Sequence, residues 1–598
     1  MSIRKEIALP TIPDSQEPEE YQRKYGFFIK DGIYAFTKQN EKGNPTIIEL
    51  SNFVMKSLFN LDNGSNNSQR IIYLQRSTNE THIIEILSSE MKPESFETIL
   101  KTRRCTFYGT AYQLKKVFGQ LMDEEDQAFI LSEMGWNPEH LVYVFADAIF
   151  SAKNIVLKIN EIGIIKEDDK QYYLPAYGFA NLNNEDFKTE RLYRFIDGTT
   201  NFKQWSDLYF KAFGENGVVG ILFLILALFR DIVFESVGFF PFLFLFGDFA
   251  TGKTSFTEKL LSLFGKDIIG TPLNNATTIA LSRLTSSRTN GIFYFKEYTN
   301  ETDVTAEDFI LTAYDGAGRT TGVKSNDNKT KSLPVKSAMI FDGNHLPTAK
   351  AAILSRMILL IFQTQIFSEE QRNAFDKLKT LSTEGFGTVI IEILSCREFF
   401  KERFKTVFSE TTHKIKGKGT RLPDRSINHM ALLFSAFDIL NQKLSFPFDA
   451  DQVKRIIGKI TEDQFELLKE SNALTIFWVA INFNIKKGLV LPYLNDLNNV
   501  KTAHFRVKVV SGSEYILQIK LQSVYPFYTK YCNDNKLRLL DYSSLKMLLT
   551  SSSNLIFLPA NLKNRGSANT DKVFGSCYQF ILTKTDNGFN IGDNELSV

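Results

Sequence analysis

Apolar and polar positions change rhythm several times along the 598 residues. Over residues 21–200, short β-like runs such as YGFFIKDGIYAF, QRIIYLQR and THIIEILS alternate with polar turns such as NLDNGSNNSQ, predicting an α+β region. Within it, residues 46–59 and 110–134 carry helical spacing, the second ending in the acidic MDEEDQAFILSEMGW. From about 203 to 400, apolar strand, glycine-rich turn and helix alternate, the pattern of a parallel sheet with crossover helices. The most apolar run, VVGILFLILALF at 218–229, falls short of the ~20 residues a bilayer-spanning helix needs. It predicts a buried helix beside the strand at 242–247.

Residues 426–485 are mainly helical in pattern, and the last hundred return to mixed structure. There QSVYPFYTKYCNDN and DYSSLKMLLTSS read as helices, and NLIFLPAN and SCYQFILTK as strands around the basic loop LKNRGSANTDKVFGS. Helix, helix, strand, loop, strand is the order of a winged helix, which serves DNA binding or protein docking. No internal repeat of 20–50 residues is present.

Length alone predicts three to five domains at roughly 100–200 residues each. The expected division is a disordered lead-in at 1–20, an α+β N-terminal region at 21–202, a parallel-sheet domain at 203–400, a basic connector and helical lid at 401–500, and a winged-helix-like domain at 501–598. Residues 401–425 carry eight Lys or Arg against three acids and read as an exposed connector.

A net charge of +2 means that any attraction to nucleic acid must come from local patches. The four cysteines (Cys105, Cys396, Cys532, Cys577) stand far apart, and the six histidines have no ligand spacing, so neither a disulfide framework nor a zinc site is expected. With no apolar stretch in MSIRKEIALPTIPDSQEPEE, the expected setting is the reducing cytoplasm, and no membrane partner is expected. Asp147, after the apolar run in VYVFADAIF, has no second acid two residues away and reads as part of a plain buried strand.

The chemistry concentrates at FLFLFGDFATGKTSF, residues 242–256. Five apolar residues lead into Gly247, and Gly252, Lys253 and Thr254 complete the GxxxxGK[ST] spacing of a phosphate-binding loop. The segment Gly247, Asp248, Phe249, Ala250, Thr251, Gly252, Lys253, Thr254 and Ser255 is therefore the candidate nucleotide-binding loop. Backbone N–H groups would cradle phosphates, Lys253 reach the β/γ oxygens, and Thr254 ligate magnesium, with the following helix adding its positive end. ATP and Mg2+ are the expected cofactors.

Hydrolysis requires an acidic strand end downstream, and GIFYFKEYTN at 291–300 offers Glu297 as general base and as a metal-side carboxylate. Lys296 stands where the first, metal-orienting acid is usual, a departure that leaves Glu297 alone to serve with Thr254, or turnover slow. A third strand, VKSAMIFDGN at 335–344, ends in Asn344, a polar tip able to orient an attacking water. Arg356, in AAILSRMILLIF, is the first candidate for a guanidinium reaching the γ-phosphate of a neighbouring subunit, ahead of Arg319 and Arg288. Between the second and third strands, residues 316–337 carry five Lys or Arg and one Asp, and read as a β-hairpin centred on SNDN. Lys324, Lys329 and Lys331 are its candidate contacts to a DNA backbone.

The order strand–GDFATGKT, strand–KE, basic hairpin, strand–DGN and Arg356 resembles the AAA+ helicases of superfamily 3, especially helicase-like replication proteins of phages and mobile elements. The resemblance covers residues 205–365, and EMGWNPEHLVYVFADAIF with YYLPAYGFANL looks like the region preceding the ATPase in that group. It implies a multidomain α/β chain with a P-loop AAA+ core, acting as a hexameric ring that uses ATP and magnesium to translocate on single-stranded DNA in a bacterial host. By this resemblance the Walker A residues are Gly247, Gly252, Lys253 and Thr254, the Walker B acid is Glu297, the sensor is Asn344 and the arginine finger is Arg356. A primase, a polymerase or origin DNA would be its further partners. Two other readings stay open: a nucleotide-switched DNA-binding or loading protein with weak hydrolysis, and a defence ATPase of the STAND type.

Overall fold

The computed structural model describes residues 12–62, 68–178, 181–299, 302, 304–322, 330–344, 351–363, 367–493, 501–511, 514–535, 539–551, 556–558 and 568–583. The chain divides into two compact units, one of residues 1–196 with 264–267, the other of 197–263 with 268–598.

The first unit is built on a six-stranded mixed sheet whose spatial order is 164–167, 170–173, 126–130, 53–62, 69–76 and 81–87. The helical expectation for 46–59 fails here, because these residues form the strands Pro45–Glu49 and Phe53–Asp62. Phe53, Val54 and Met55 are all buried, so both faces are covered where the second strand begins, and the two-residue alternation starts only at Met55. Thr110 and Gln113 form a capping box that starts the helix Ala111–Asp123 as expected. That helix stops at the acidic run, and Asp126–Ile130 is a strand. Glu125 explains the break: it is drawn inward onto Arg70, 2.9 Å away, with both side chains nearly buried. VYVFADAIF is two short strands, Val142–Val144 and Ala148–Phe150. Asp147 lies in the turn between them, its carboxylate accepting from Arg194 Nε and the Phe195 N–H, both at 2.9 Å.

The second unit contains a five-stranded, all-parallel sheet. Its strands are β1 (Phe242–Gly247), β2 (Thr271–Pro272), β3 (Ile292–Tyr298), β6 (Ala338–Gly343) and β7 (Met357–Phe362), in spatial order β2-β3-β6-β1-β7. β4 (Arg319–Gly322) and β5 (Thr330–Leu333) form the expected antiparallel hairpin ahead of β6. The order of the large sheet reverses around β1, and ligands of such sheets gather beyond the carboxyl ends of the strands at that point. One face buries Phe242, Phe244, Phe293, Phe295 and Phe341 in a common core.

Helix α1 (Phe202–Leu228) is capped by Asn201 and kinked at Gly214, whose φ of 57° and ψ of −135° are non-helical. Residues 217–228 are all buried, as predicted for 218–229. One neighbour is α2 (Lys253–Leu261), which follows the strand: Tyr209 donates to the Phe256 carbonyl at 2.9 Å, and a Cβ on Gly220 would lie 2.6 Å from the Phe256 ring. By length and hydropathy α1 passes for a membrane span, yet it is a core helix, with 72% of its most apolar window buried.

The basic stretch expected as a connector is mostly helix α3 (Arg397–Lys416), which buries Phe400 and Phe404 and keeps its lysines on the outside. α4 (Asp424–Leu440) and the 37-residue α5 (Ala450–Lys486) follow. α5 ties itself to the sheet edge through Gln464, whose Oε1 accepts from the Leu359 N–H at 3.1 Å and whose Nε2 donates to the carbonyls of Leu354 and Met357 at 3.0 and 2.8 Å.

In the C-terminal part the helices Leu521–Asp534 and Tyr542–Ser551 pack with α5 against an antiparallel sheet. Ile556–Leu558 and Gly575–Thr583 are strands as expected, and the hairpin Phe505–Ser511 with Glu514–Ile519 extends their sheet.

Candidate nucleotide site

β1 runs apolar to its last residue because neighbouring strands flank it on both sides, and at Gly247 the chain must turn out of the sheet. A Cβ at Gly247 would sit 2.1 Å from the Phe362 carbonyl oxygen, so the turn admits only glycine. Asp248, Phe249 and Ala250 form the exposed crest of the loop, where Phe249 is 89% exposed. Thr251 Oγ1 closes the crest by donating to the Asp248 carbonyl at 2.8 Å. Gly252, at φ 95°, hands the chain to α2, whose first residues are Lys253, Thr254 and Ser255. The unpaired N–H groups of that first turn and the positive end of the helix dipole face the loop, an arrangement that attracts anions.

Lys253 turns back over the loop. Its Nζ donates to the carbonyls of Gly247 and Asp248 at 2.6 and 2.7 Å and to Asn344 Oδ1 at 3.2 Å. Burial pushes the ammonium pKa down, opposed by the negative charges of Asp342 and Asp248. Asn344, singled out as a strand tip, thus meets the loop lysine 91 positions away in sequence.

The acidic strand end is irregular. Phe295 pairs with Phe341 and Tyr298 with Gly343, so Lys296 and Glu297 together oppose the single residue Asp342. This β-bulge turns Glu297 to a φ of 62° and leaves its side chain exposed. Asp342 fills the gap: its Oδ1 accepts the Glu297 N–H at 2.8 Å, and its Oδ2 accepts the Tyr294 hydroxyl. Thr254 engages the same phenol, whose pKa burial and Asp342 push far up, so that it remains a donor. Lys296 lies along the Tyr294 ring, its Nζ 5.4 Å from the ring centre. Asp342 was missed in the sequence because Asp-Gly-Asn at a strand end has the composition of an ordinary turn. The available signal was its place two residues before the polar tip.

Arg356 lies at the beginning of β7, where its carbonyl accepts the Phe242 N–H at 3.1 Å, whereas the loop leaves the far end of β1. The five residue steps between them amount to ~17 Å along the strand, so Arg356 does not reach the loop of its own subunit. Its guanidinium stacks near Tyr314. Arg288 is buried over the Phe293 ring, 4.5 Å from its centre. Lys324 and Lys329 lie outside the described residues; Lys331 and Arg319 belong to the strands of the hairpin.

A cavity of about 410 Å3 adjoins Thr251 and Gly252. Its other walls come from the α1 kink at Gly214, from Phe362 at the end of β7, and from Lys459 on α5. Glu215 beside the kink is held by Arg455 and Lys459 at 2.8 and 3.3 Å, and these partners lower its pKa. Sequence reading did not connect the kink or α5 with the loop; Phe-Gly-Glu-Asn-Gly interrupting an apolar helix was the legible trace. Among the described residues no group of three or more His, Cys, Asp or Glu is arranged to hold a metal ion. The donors near the loop, one hydroxyl and single carboxylates, suit a magnesium ion that keeps mostly phosphate and water ligands.

No protein-family model matches the chain, and no curated protein matches it. Among solved structures, it is similar to one described as the active helicase Cch of SCCmec type IV, with 13% identity, 93% of this chain and 97% of that chain covered, and a TM-score of 0.49. It is also similar to an apo form of the NrS-1 C-terminal region, with 10% identity, 68% and 92% covered, and a TM-score of 0.24.

Proposed function

We propose that the chain is an ATP-driven DNA helicase of the superfamily 3 AAA+ type, serving replication of a phage or mobile element in the bacterial cytoplasm. The observation that carries this reading is the convergence of Lys253 and Asn344 at the loop between β1 and α2. A lysine, a helix N-terminus and a polar strand tip around one glycine-rich turn make a site for a polyphosphate. Lys253 exchanges its two loop carbonyls for phosphate oxygens, and the neighbouring cavity takes the nucleoside.

In this mechanism Glu297 accepts a proton from the attacking water, and Asn344 orients that water. Thr254, with a carboxylate nearby, would hold a magnesium ion, and that ion would supply charge neutralisation on the phosphates. Arg356, unable to serve its own loop, serves that of the next subunit in a hexameric ring. Lys324, Lys329 and Lys331 are the contacts to the backbone of single-stranded DNA in the ring's centre. The C-terminal helices and sheet act as a winged-helix-like module that docks DNA or a partner such as a primase or polymerase.

The test is strand separation on a forked DNA duplex with ATP and magnesium. Unwinding lost on Lys253→Ala supports the motor; DNA binding gated by ATP without unwinding favours the loading protein. Lys296 in place of an acid is the observation that keeps this second reading open.

A further inference from the structure

A phosphate-loop ATPase needs a carboxylate facing the water shell of its magnesium ion, and position 296 supplies a lysine. We propose that Asp342 is the metal-orienting acid of this site, taking over from position 296, with Tyr294 as the tether that holds it near Thr254. The proposal rests on the nucleotide-binding reading above and assigns that site a residue which its motifs do not.

Three observations carry it. The first is strand order: β6 lies between β3 and β1, and Asp342 is in register with Leu245, two residues before Gly247. Asp342 is therefore one strand, ~4.8 Å, from the loop-bearing strand, whereas position 296 is two strands away. The second is the face: Phe341 enters the aromatic core on one side of the sheet, so Asp342 projects to the other, where its charge reaches Lys253. The third is the phenol relay. Tyr294 donates to Asp342, and Thr254 acts on the same phenol, so one side chain lies between the carboxylate and the hydroxyl expected to ligate magnesium.

The same carboxylate accepts the Glu297 N–H, so it fixes the bulge that aims the candidate base. Asp342 is in this sense a positioning residue for both Thr254 and Glu297. Lys296, stacked along Tyr294, leaves the relay intact.

The test is binding of a fluorescent N-methylanthraniloyl ATP to the full-length chain, titrated with MgCl2 and repeated in EDTA. For Asp342→Asn, the magnesium concentration giving half the metal-dependent gain in affinity should rise ~10-fold or more, with affinity in EDTA unchanged. Tyr294→Phe should shift it in the same direction by a smaller factor, and Lys296→Asp added to Asp342→Asn should restore it. An equal loss of affinity with and without magnesium would mean that Asp342 only braces the bulge, and would overturn the proposal. Lys296→Asp alone bears on the question without disturbing a buried group. A change under about twofold fits a site whose acid is already present, whereas a ~10-fold gain in magnesium response would show that the acid was missing and overturn the proposal. If the unaltered chain binds no analogue at any magnesium concentration, the nucleotide reading falls, and this role with it.

Discussion

Lys253 Nζ donates to Asn344 Oδ1 at 3.2 Å, joining the start of α2 to the tip of β6. The contact makes separable predictions for the two residues. Lys253→Ala removes charge-assisted bonds to phosphate and should weaken ATP binding by ~10- to 100-fold, at ~1.5–3 kcal/mol for a bond to a charged group. Asn344→Ala should leave ATP binding nearly unchanged and lower turnover ~10²-fold, the usual loss of one oriented polar group. Equilibrium binding and steady-state hydrolysis on the two variants separate the roles.

Arg356 stands at the wrong end of the sheet to serve its own loop. Arg356→Ala should therefore retain ATP binding and lose turnover by ~10³-fold, as a missing arginine finger does. Mixing it with Lys253→Ala subunits should recover part of the activity, because the second variant lends its intact Arg356 to the loop of the first. No recovery on mixing would contradict action between subunits.

Gln464 satisfies three backbone groups of β7 and its approach, on an edge of the parallel sheet. Gln464→Leu keeps the volume but leaves those groups unpaired, at ~1–3 kcal/mol for each buried group that finds no water. The expected result is a lowered denaturation midpoint together with weakened ATP binding, since α5 also walls the cavity beside the loop.

His429 is buried against Tyr314, 3.0 Å from its hydroxyl, and burial, aided by Arg425, holds its pKa down to about 3. The unfolded chain binds this proton near pH 6.5 and the folded chain does not. Stability is therefore full above pH 6.5 and falls as pH drops toward 3, by ~1.4 kcal/mol per pH unit. His429→Gln removes this contribution, so its unfolding midpoint should decline less than that of the unaltered chain between pH 7 and pH 5. Thermal denaturation at the two pH values checks the difference.

The parallel sheet was legible because three of its five strands carry a distinctive end: Gly247 to Thr254 at β1, Lys-Glu at β3, Asp-Gly-Asn at β6. What escaped were features set by tertiary neighbours. Phe53, Val54 and Met55 read as helical because the strand is covered on both faces at its start and loses its alternation there. Phe400 and Phe404 turn a basic stretch into a packed helix, although its composition reads as a connector. Asp342 acquires its partners only when β6 is inserted between β3 and β1, an order that no local pattern encodes.

The most direct measurement is ATP hydrolysis by the purified chain with magnesium, with and without single-stranded DNA, beside Lys253→Ala and Glu297→Gln. The account predicts turnover that rises with DNA and is abolished by either substitution. ATP bound without turnover under every condition, and hydrolysis appearing only on Lys296→Asp, would contradict it and leave a nucleotide-gated DNA-binding protein in its place.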